Sequence, residues 1–147
     1  MAIRVAINGL GRIGRAFVRR SWGREGIELV AVNDLGSIDN LAYLLQYDSV
    51  YRRAPFKVEA KDGNLMLEGK TVRFVSEKEP EKLPWKDLNV DVVVESTGFF
   101  TDYEKAGAHL VAGARRVVIS APAKGDESLG ATVLMGVNED KLGTCQL

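Results

Sequence analysis

Apolar and polar positions fall in short blocks along this chain, and the blocks switch between a period of two and a period near 3.6. Ile3-Arg4-Val5-Ala6-Ile7 is short, rich in β-branched residues and followed by Asn-Gly. That predicts a buried strand running into a turn. Ile13, Phe17, Val18 and Trp22 then recur at helical spacing. They predict a helix that opens inside Gly9-Leu10-Gly11-Arg12-Ile13-Gly14 and is closed by Gly23 and Gly26. Ile27 to Asn33 predicts a second strand, stopping at Asp34. Strand, glycine turn, helix and parallel strand together predict a right-handed βαβ unit.

Ile38 to Tyr47 reads as a helix with Leu41, Leu44 and Leu45 on one face. Between residues 54 and 75 the pattern changes to short alternating strands at Phe56–Ala60, Asn64–Glu68 and Thr71–Val75. Lys61-Asp62-Gly63-Asn64 and Glu68-Gly69-Lys70 form the turns between them, which predicts an antiparallel excursion. Ser76 to Leu88 is charged, contains Pro80 and Pro84, and reads as a surface connection. A buried strand is expected over Val90–Glu95, a helix over Thr101–Gly113 with Thr101 or Asp102 as N-cap, and strands over Arg116–Ser120 and Thr132–Val137. Asn138 to Leu147 reads as a polar tail.

The 147 residues suit one domain. Lys+Arg and Asp+Glu both number 20, so the net charge is zero, which argues against nucleic acid as a partner. No apolar run approaches the ~18 residues of a membrane span, and residues 1–5 lack the features of a secretory leader. A single cysteine, Cys145, excludes an internal disulfide, and with one histidine, His109, it speaks against a zinc site. The expected compartment is the cytoplasm. Arg19-Arg20 and Arg115-Arg116 read as solvated faces, and His109 as a surface or packing residue.

The glycine turn carries the sharpest chemistry. It follows a strand, opens a helix and has an acid, Asp34, 20 residues after Gly14. Gly9 permits the tight turn, Gly11 lets backbone approach a pyrophosphate, and Gly14 lets helix and strand pack closely. Unpaired N–H groups and partial positive charge at the helix start suit a diphosphate. Asp34 can accept hydrogen bonds from a ribose diol and would repel a 2′-phosphate, which favours NAD over NADP. Ser96-Thr97-Gly98 and Ser120-Ala121-Pro122 follow predicted strands, at the rim where open parallel sheets bind ligands. Residue type alone leaves open whether they line a site or only punctuate loops.

These residues match a known family in several places. Ile3 to Arg15 resembles the opening of phosphorylating glyceraldehyde-3-phosphate dehydrogenases, with Leu10 where a phenylalanine is usual. Further matches are Val32-Asn33-Asp34-Leu35, Leu44 to Ser49, Leu83-Pro84-Trp85, Glu95 to Thr101, Ile119 to Gly125 and Met135 to Asn138. They fall in the family's order from residue 3 to about 141. The resemblance implies an α/β domain over residues 1–147, incomplete at its last parallel strand near Thr144. Its sheet would be Rossmann-type, doubly wound and mainly parallel, with a small antiparallel insertion.

By the same resemblance, Arg12 and Ile13 would meet the pyrophosphate through backbone N–H. Asp34 would hold the adenosine ribose with Asn33 alongside, and Lys78 would stand near the adenine. Thr97 and Gly98 would line the cleft, with Ser120 towards the nicotinamide. The parent reaction oxidises glyceraldehyde 3-phosphate with NAD and phosphate to 1,3-bisphosphoglycerate. The family's Ser-Cys-Thr-Thr-Asn motif and its general-base histidine have no match in this sequence, so no catalytic residue is assigned. Cys145 lacks that context and reads as an ordinary thiol. The whole enzyme would be a homotetramer, and this chain a monomer or weak dimer. Two rivals stay open: an erythrose-4-phosphate dehydrogenase, and a non-catalytic dinucleotide-binding module.

Overall fold

A computed structural model describes all residues from Met1 to Leu147. In chain order the elements are β1 (Ile3–Asn8), α1 (Arg12–Ser21), β2 (Ile27–Asn33), α2 (Ile38–Gln46), β3 (Tyr47–Asp48), β4 (Arg52–Arg53), β5 (Val58–Lys61), β6 (Asn64–Leu67), β7 (Lys70–Val75), β8 (Val92–Glu95), α3 (Tyr103–Ala106), α4 (Ala108–Val111) and β9 (Arg116–Ile119). Seven strands form one sheet in the order β5-β6-β7-β2-β1-β8-β9. From β7 to β9 every pairing is parallel, whereas β5, β6 and β7 pair antiparallel. This is a Rossmann-type α/β sheet with a small antiparallel insertion. β3 and β4 form a separate two-residue ladder.

The central strands are buried on both faces, and their period of two sends alternate residues to two cores. Val5 and Ile7 of β1 pack with Leu10, Val18, Leu29, Leu41 and Leu45 under α1 and α2. Ala6, between them, packs with Val30, Ala31, Trp85, Val93 and Val117 on the opposite face. The β1–β2 register steps from Val5↔Leu29 to Ala6↔Ala31, leaving Val30 as an extra residue. That bulge explains why consecutive Val30 and Ala31 share one face. The antiparallel hairpin contributes Leu65, Leu67 and Val72 to the α1–α2 side. Burying each such leucine stabilises the fold by about 1.5–3 kcal/mol.

Several expectations change on contact with the structure. The helix expected over Thr101–Gly113 is two short helices separated at Gly107. The Leu110 N–H bonds to the Gly107 carbonyl, a 3-10 step that interrupts the α-ladder at a residue of poor helix propensity. Thr132–Val137 forms no strand. Gly136 has φ +82°, and the Asn138 amide accepts from Leu134 N–H (2.6 Å) and donates to the Thr132 carbonyl (2.9 Å), folding the segment into a turn. Ser76 to Leu88 is not merely a surface connection, because Leu83 and Trp85 plug the second core. The region near Thr144 forms no strand; beside β9, Val117 N–H donates to the Gln146 carbonyl at 2.9 Å. Ile13, grouped with the buried helical positions by its spacing, is 55% exposed. Arg19 is half-buried rather than a solvated side chain, and donates to the Leu45 and Arg52 carbonyls at 2.6 and 3.1 Å. No helix is long and apolar enough to cross a membrane.

Candidate functional site

The carboxyl ends of the parallel strands meet at one rim. Each ladder continues one residue past its strand: Gly9 N–H to the Asn33 carbonyl (2.8 Å), Ser96 N–H to Asn8 (2.8 Å), and Ser120 N–H to Glu95 (2.9 Å). From β1 the chain crosses towards β2 and β7, while β8 and β9 lie on the other side of β1. The loops therefore part above β1, and the gap between them is the usual ligand crevice of a doubly wound sheet. A cleft of about 490 Å³ opens there. Gly9, Gly11, Asn33, Asp34, Lys78 and Thr97 line it, together with Asn8, Leu35, Glu77, Ser96, Phe99 and Phe100.

The glycine turn is built by close backbone approach. Gly9 has φ +96°, and a Cβ on it would lie 2.8 Å from the Thr97 amide nitrogen. A Cβ on Gly14 would lie 2.1 Å from the Gly9 carbonyl oxygen, so the first turn of α1 rests directly on the glycine loop. The Ser96 hydroxyl donates to that same carbonyl at 2.7 Å and ties the loop to the end of β8. Gly11 differs: it has nothing within 4 Å of its Cβ position and lines the cleft. The Gly11, Arg12 and Ile13 amides donate no hydrogen bond within the chain; the first α1 donor is Arg15 N–H, bonded to Gly11. Free amides at a helix start, beside open space, are an anion site in waiting.

Asp34 closes β2 opposite this turn. Its Oδ2 accepts from Leu10 N–H at 2.7 Å and its Oδ1 from Gly36 N–H at 2.8 Å. The carboxylate is thus fixed against the glycine loop with one lone pair on each oxygen still free, the capacity a vicinal diol requires. These features fit an adenine dinucleotide: amides for the diphosphate, a carboxylate for the ribose, and a cradle at Gly9 and Gly14 that a Cβ would fill.

The remaining predicted site residues are placed as follows. Arg12 and Ile13 form the exposed first turn of α1, and Gly14 acts from behind the loop. Gly98, with φ +78°, is exposed beyond Thr97 and does not line the cleft. Ser120 caps β9 and borders a neighbouring hollow with Val118 and Ile119 instead. Asn33 lines the cleft, but its amide is engaged inward: Nδ2 donates to Asn8 Oδ1 (2.7 Å) and the Glu77 carbonyl (2.9 Å), and Oδ1 accepts from Glu77 N–H (2.8 Å). Those bonds tie Asn33 to the segment that carries Lys78. Cys145 borders hollows away from the glycine turn.

Beneath the cleft lies a buried polar cluster that motif reading passes over. Glu95 Oε2 accepts from Asn8 Nδ2 (2.6 Å) and His109 Nε2 (2.8 Å), while Oε1 accepts from Thr97 N–H (2.8 Å) and the Thr97 hydroxyl. The Trp85 indole N–H donates to His109 Nδ1 at 3.0 Å. An indole can only donate, so the ring's hydrogen sits on Nε2 and points at Glu95. Burial pushes the Glu95 carboxyl upward, but the bonds from His109, Thr97 and Asn8 outweigh it and hold the group below the ordinary carboxylate range. One signal was available in the sequence: Asn8, Asn33 and Glu95 are polar residues closing three apolar strands. The register sets Asn8 opposite both of the others.

The family model described as "Glyceraldehyde 3-phosphate dehydrogenase, NAD binding domain" matches residues 3–103, two-thirds of the chain. The chain belongs to this family. It is 52% identical over 141 residues to the glyceraldehyde-3-phosphate dehydrogenase of Thermotoga maritima, covering 95% of this chain and 41% of that protein. It is 50% identical over 141 residues to the enzyme of that name from Geobacillus stearothermophilus, and 49% to glyceraldehyde-3-phosphate dehydrogenase 1 of Bacillus subtilis, with 96% of this chain and 41% of each relative covered. The chain therefore spans about two-fifths of the length of these glyceraldehyde-3-phosphate dehydrogenases.

Proposed function

We propose that this chain is the NAD-holding part of a phosphorylating glyceraldehyde-3-phosphate dehydrogenase, and that it binds NAD without catalysing. The observation that carries the reading is the pairing, across one cleft, of free α1 amides with the fixed Asp34 carboxylate. Gly11, Arg12 and Ile13 amides take the diphosphate, and Asp34 takes the adenosine ribose. Lys78, with Leu35 and Phe99 nearby, forms the adenine wall. Thr97 lines the cleft, Gly98 stands just beyond it, and Ser120, on the neighbouring hollow, lies towards the nicotinamide end. When bound, NAD supplies a hydride acceptor. This chain's share is to orient it, and orientation contributes roughly 7 kcal/mol or more to such reactions when both reacting partners are held.

In the parent enzyme the substrates are glyceraldehyde 3-phosphate and inorganic phosphate, and the assembly is a homotetramer acting in the cytoplasm. His109 is fully buried against Trp85 and Glu95 and cannot meet an aldehyde. Cys145 is not among the residues that line the cleft. The Thr97 hydroxyl in the cleft is bonded to Glu95, but that carboxylate already accepts from Asn8, His109 and Thr97 N–H, and we assign the chain alone no turnover. The erythrose-4-phosphate reading is not favoured, since the relatives named above are glyceraldehyde enzymes.

Titration calorimetry with NAD, paired with a turnover assay, tests this. A saturable heat with NAD and no rise at the reduced-nicotinamide band with NAD, phosphate and glyceraldehyde 3-phosphate are expected. Absence of binding up to millimolar NAD refutes the binding claim, and turnover by the chain alone refutes the non-catalytic one.

A further inference from the structure

The two walls of the cleft come from separate parts of the chain. One is the β8 rim, ending in Thr97. The other is the Glu77–Lys78 segment after β7. The ends of β2 and β1 lie between them in the sheet, and a line of side chains runs beside that backbone ladder beneath the floor. The Glu77 amide donates to Asn33 Oδ1, Asn33 Nδ2 to Asn8 Oδ1, and Asn8 Nδ2 to Glu95 Oε2, at 2.8, 2.7 and 2.6 Å. From the far side, Trp85 donates to His109 and His109 to the same Glu95 oxygen. Asn8, Asn33, Glu95 and His109 are all at least 96% buried. Every hydrogen in the line points towards the Glu95 carboxylate.

Three features set this apart from a collection of satisfied core groups. The amide of Asn8 has a single orientation: its oxygen must face the Asn33 donor and its nitrogen the Glu95 acceptor. Asn33 is fully engaged and holds Glu77 at both its N–H and its carbonyl. Glu95 grips Thr97 by amide and hydroxyl together. Aligned bonds in a low-dielectric interior polarise one another, so weakening one link weakens the next.

We propose that Asn8, Asn33 and Glu95, backed by His109 and Trp85, form one relay that fixes the Thr97 and Glu77–Lys78 walls relative to each other. These are positioning residues. That the relay raises affinity for NAD, by removing the cost of ordering the walls on binding, rests on the dinucleotide reading given above; that it couples the walls does not.

The two end bonds supply reporters, because Thr97 N–H and Glu77 N–H each donate into the relay and neither touches Asn8. Amide hydrogen exchange is measured on the NAD-free chain, with β1 and β8 interior amides as a control for global opening. In Asn8→Ala, protection at Thr97 and at Glu77 is expected to fall at least tenfold relative to those controls. A fall at one reporter only, at neither, or in step with the controls overturns the relay. Trp85→Phe deletes the terminal donor but also leaves a smaller ring in the second core, so its reporters too are read against the interior controls; it guards against a misfolded Asn8 variant. It is expected to lower Thr97 protection about threefold and to weaken NAD binding about threefold, although Trp85 does not line the cleft. Unchanged Thr97 protection in Trp85→Phe also overturns the relay. If the unsubstituted chain binds no NAD while both reporters respond as stated, the dinucleotide reading fails and the coupling stands.

Discussion

Gly14 and Gly11 are separated by one turn of helix, and the structure assigns them opposite sensitivities. A methyl carbon at Gly14 would sit 2.1 Å from the Gly9 carbonyl oxygen, where ordinary contact begins at 3.4 Å, and 3.1 Å from the Ser96 hydroxyl oxygen. The first of these neighbours is backbone, so no rotamer change relieves it. Either α1 or the glycine loop must move, and the loop is held by Ser96 and by the Leu10–Asp34 bond. Overpacking of this kind costs about 1–3 kcal/mol, and a backbone clash with both sides anchored belongs at the upper end. For a chain of this size, about 3 kcal/mol lowers Tm by roughly 6–12 °C. Gly11→Ala meets nothing within 4 Å and requires no positive φ, so its Tm should stay within about 2 °C. Its methyl group occupies the space above the free amides, and NAD binding should weaken at least tenfold. Thermal melts by circular dichroism and NAD titrations on the two variants separate the effects. A Gly14→Ala Tm unchanged within 2 °C, or a Gly11→Ala Tm falling as far as that of Gly14→Ala, refutes the close-approach argument.

Three further outcomes follow from the same geometry. Glu95 has a lowered folded-state pKa, so its contribution to stability is fully present above the unfolded glutamate value and is lost as pH falls through the folded one; urea melts across that acidic window should show the loss in the unsubstituted chain and a flatter profile in Glu95→Gln. Asp34→Ala removes a charged acceptor worth about 1.5–3 kcal/mol per hydrogen bond; NAD affinity should drop roughly tenfold or more and the preference for NAD over NADP should shrink, and an unchanged ratio of dissociation constants would contradict the ribose assignment. Leu67→Ala empties a fully buried site under the hairpin and should cost about 2–5 kcal/mol in urea unfolding, whereas a loss under 1 kcal/mol would mean the insertion is not part of the main core.

The βαβ start and the three-strand hairpin were legible because local signals agreed there. β-branched runs, glycine turns and helical spacing in residues 3 to 75 all favour one arrangement. The cleft was legible for a similar reason, since a glycine loop and an acid after the next strand have few structures that satisfy both. What escaped was decided by contacts distant in sequence. Trp85 and Leu83 sit in a charged, proline-bearing stretch whose burial depends on a hollow left by Ala6, Ala31 and Ala106. Thr132–Val137 has strand composition, but the Gln146 carbonyl bonds to β9, and Gly136 with Asn138 turns the segment instead. Ile13 keeps helical spacing yet lies in the first turn, ahead of the stripe that meets the sheet. The place of Asn33 beside Asp34 was legible, but its side-chain bonds to Asn8 and Glu77 were not, since they join residues far apart in sequence.

Dinucleotide binding by this chain requires the amides at the start of α1 to receive a diphosphate while Asp34 holds the sugar. An NMR titration with NAD, following backbone amides one by one, tests this most directly. Saturable shifts should be largest at Gly11, Arg12 and Ile13, with a linked change at Leu10, whose N–H shares the Asp34 carboxylate. Saturation without movement of these four amides, or no saturation up to millimolar NAD, would contradict it.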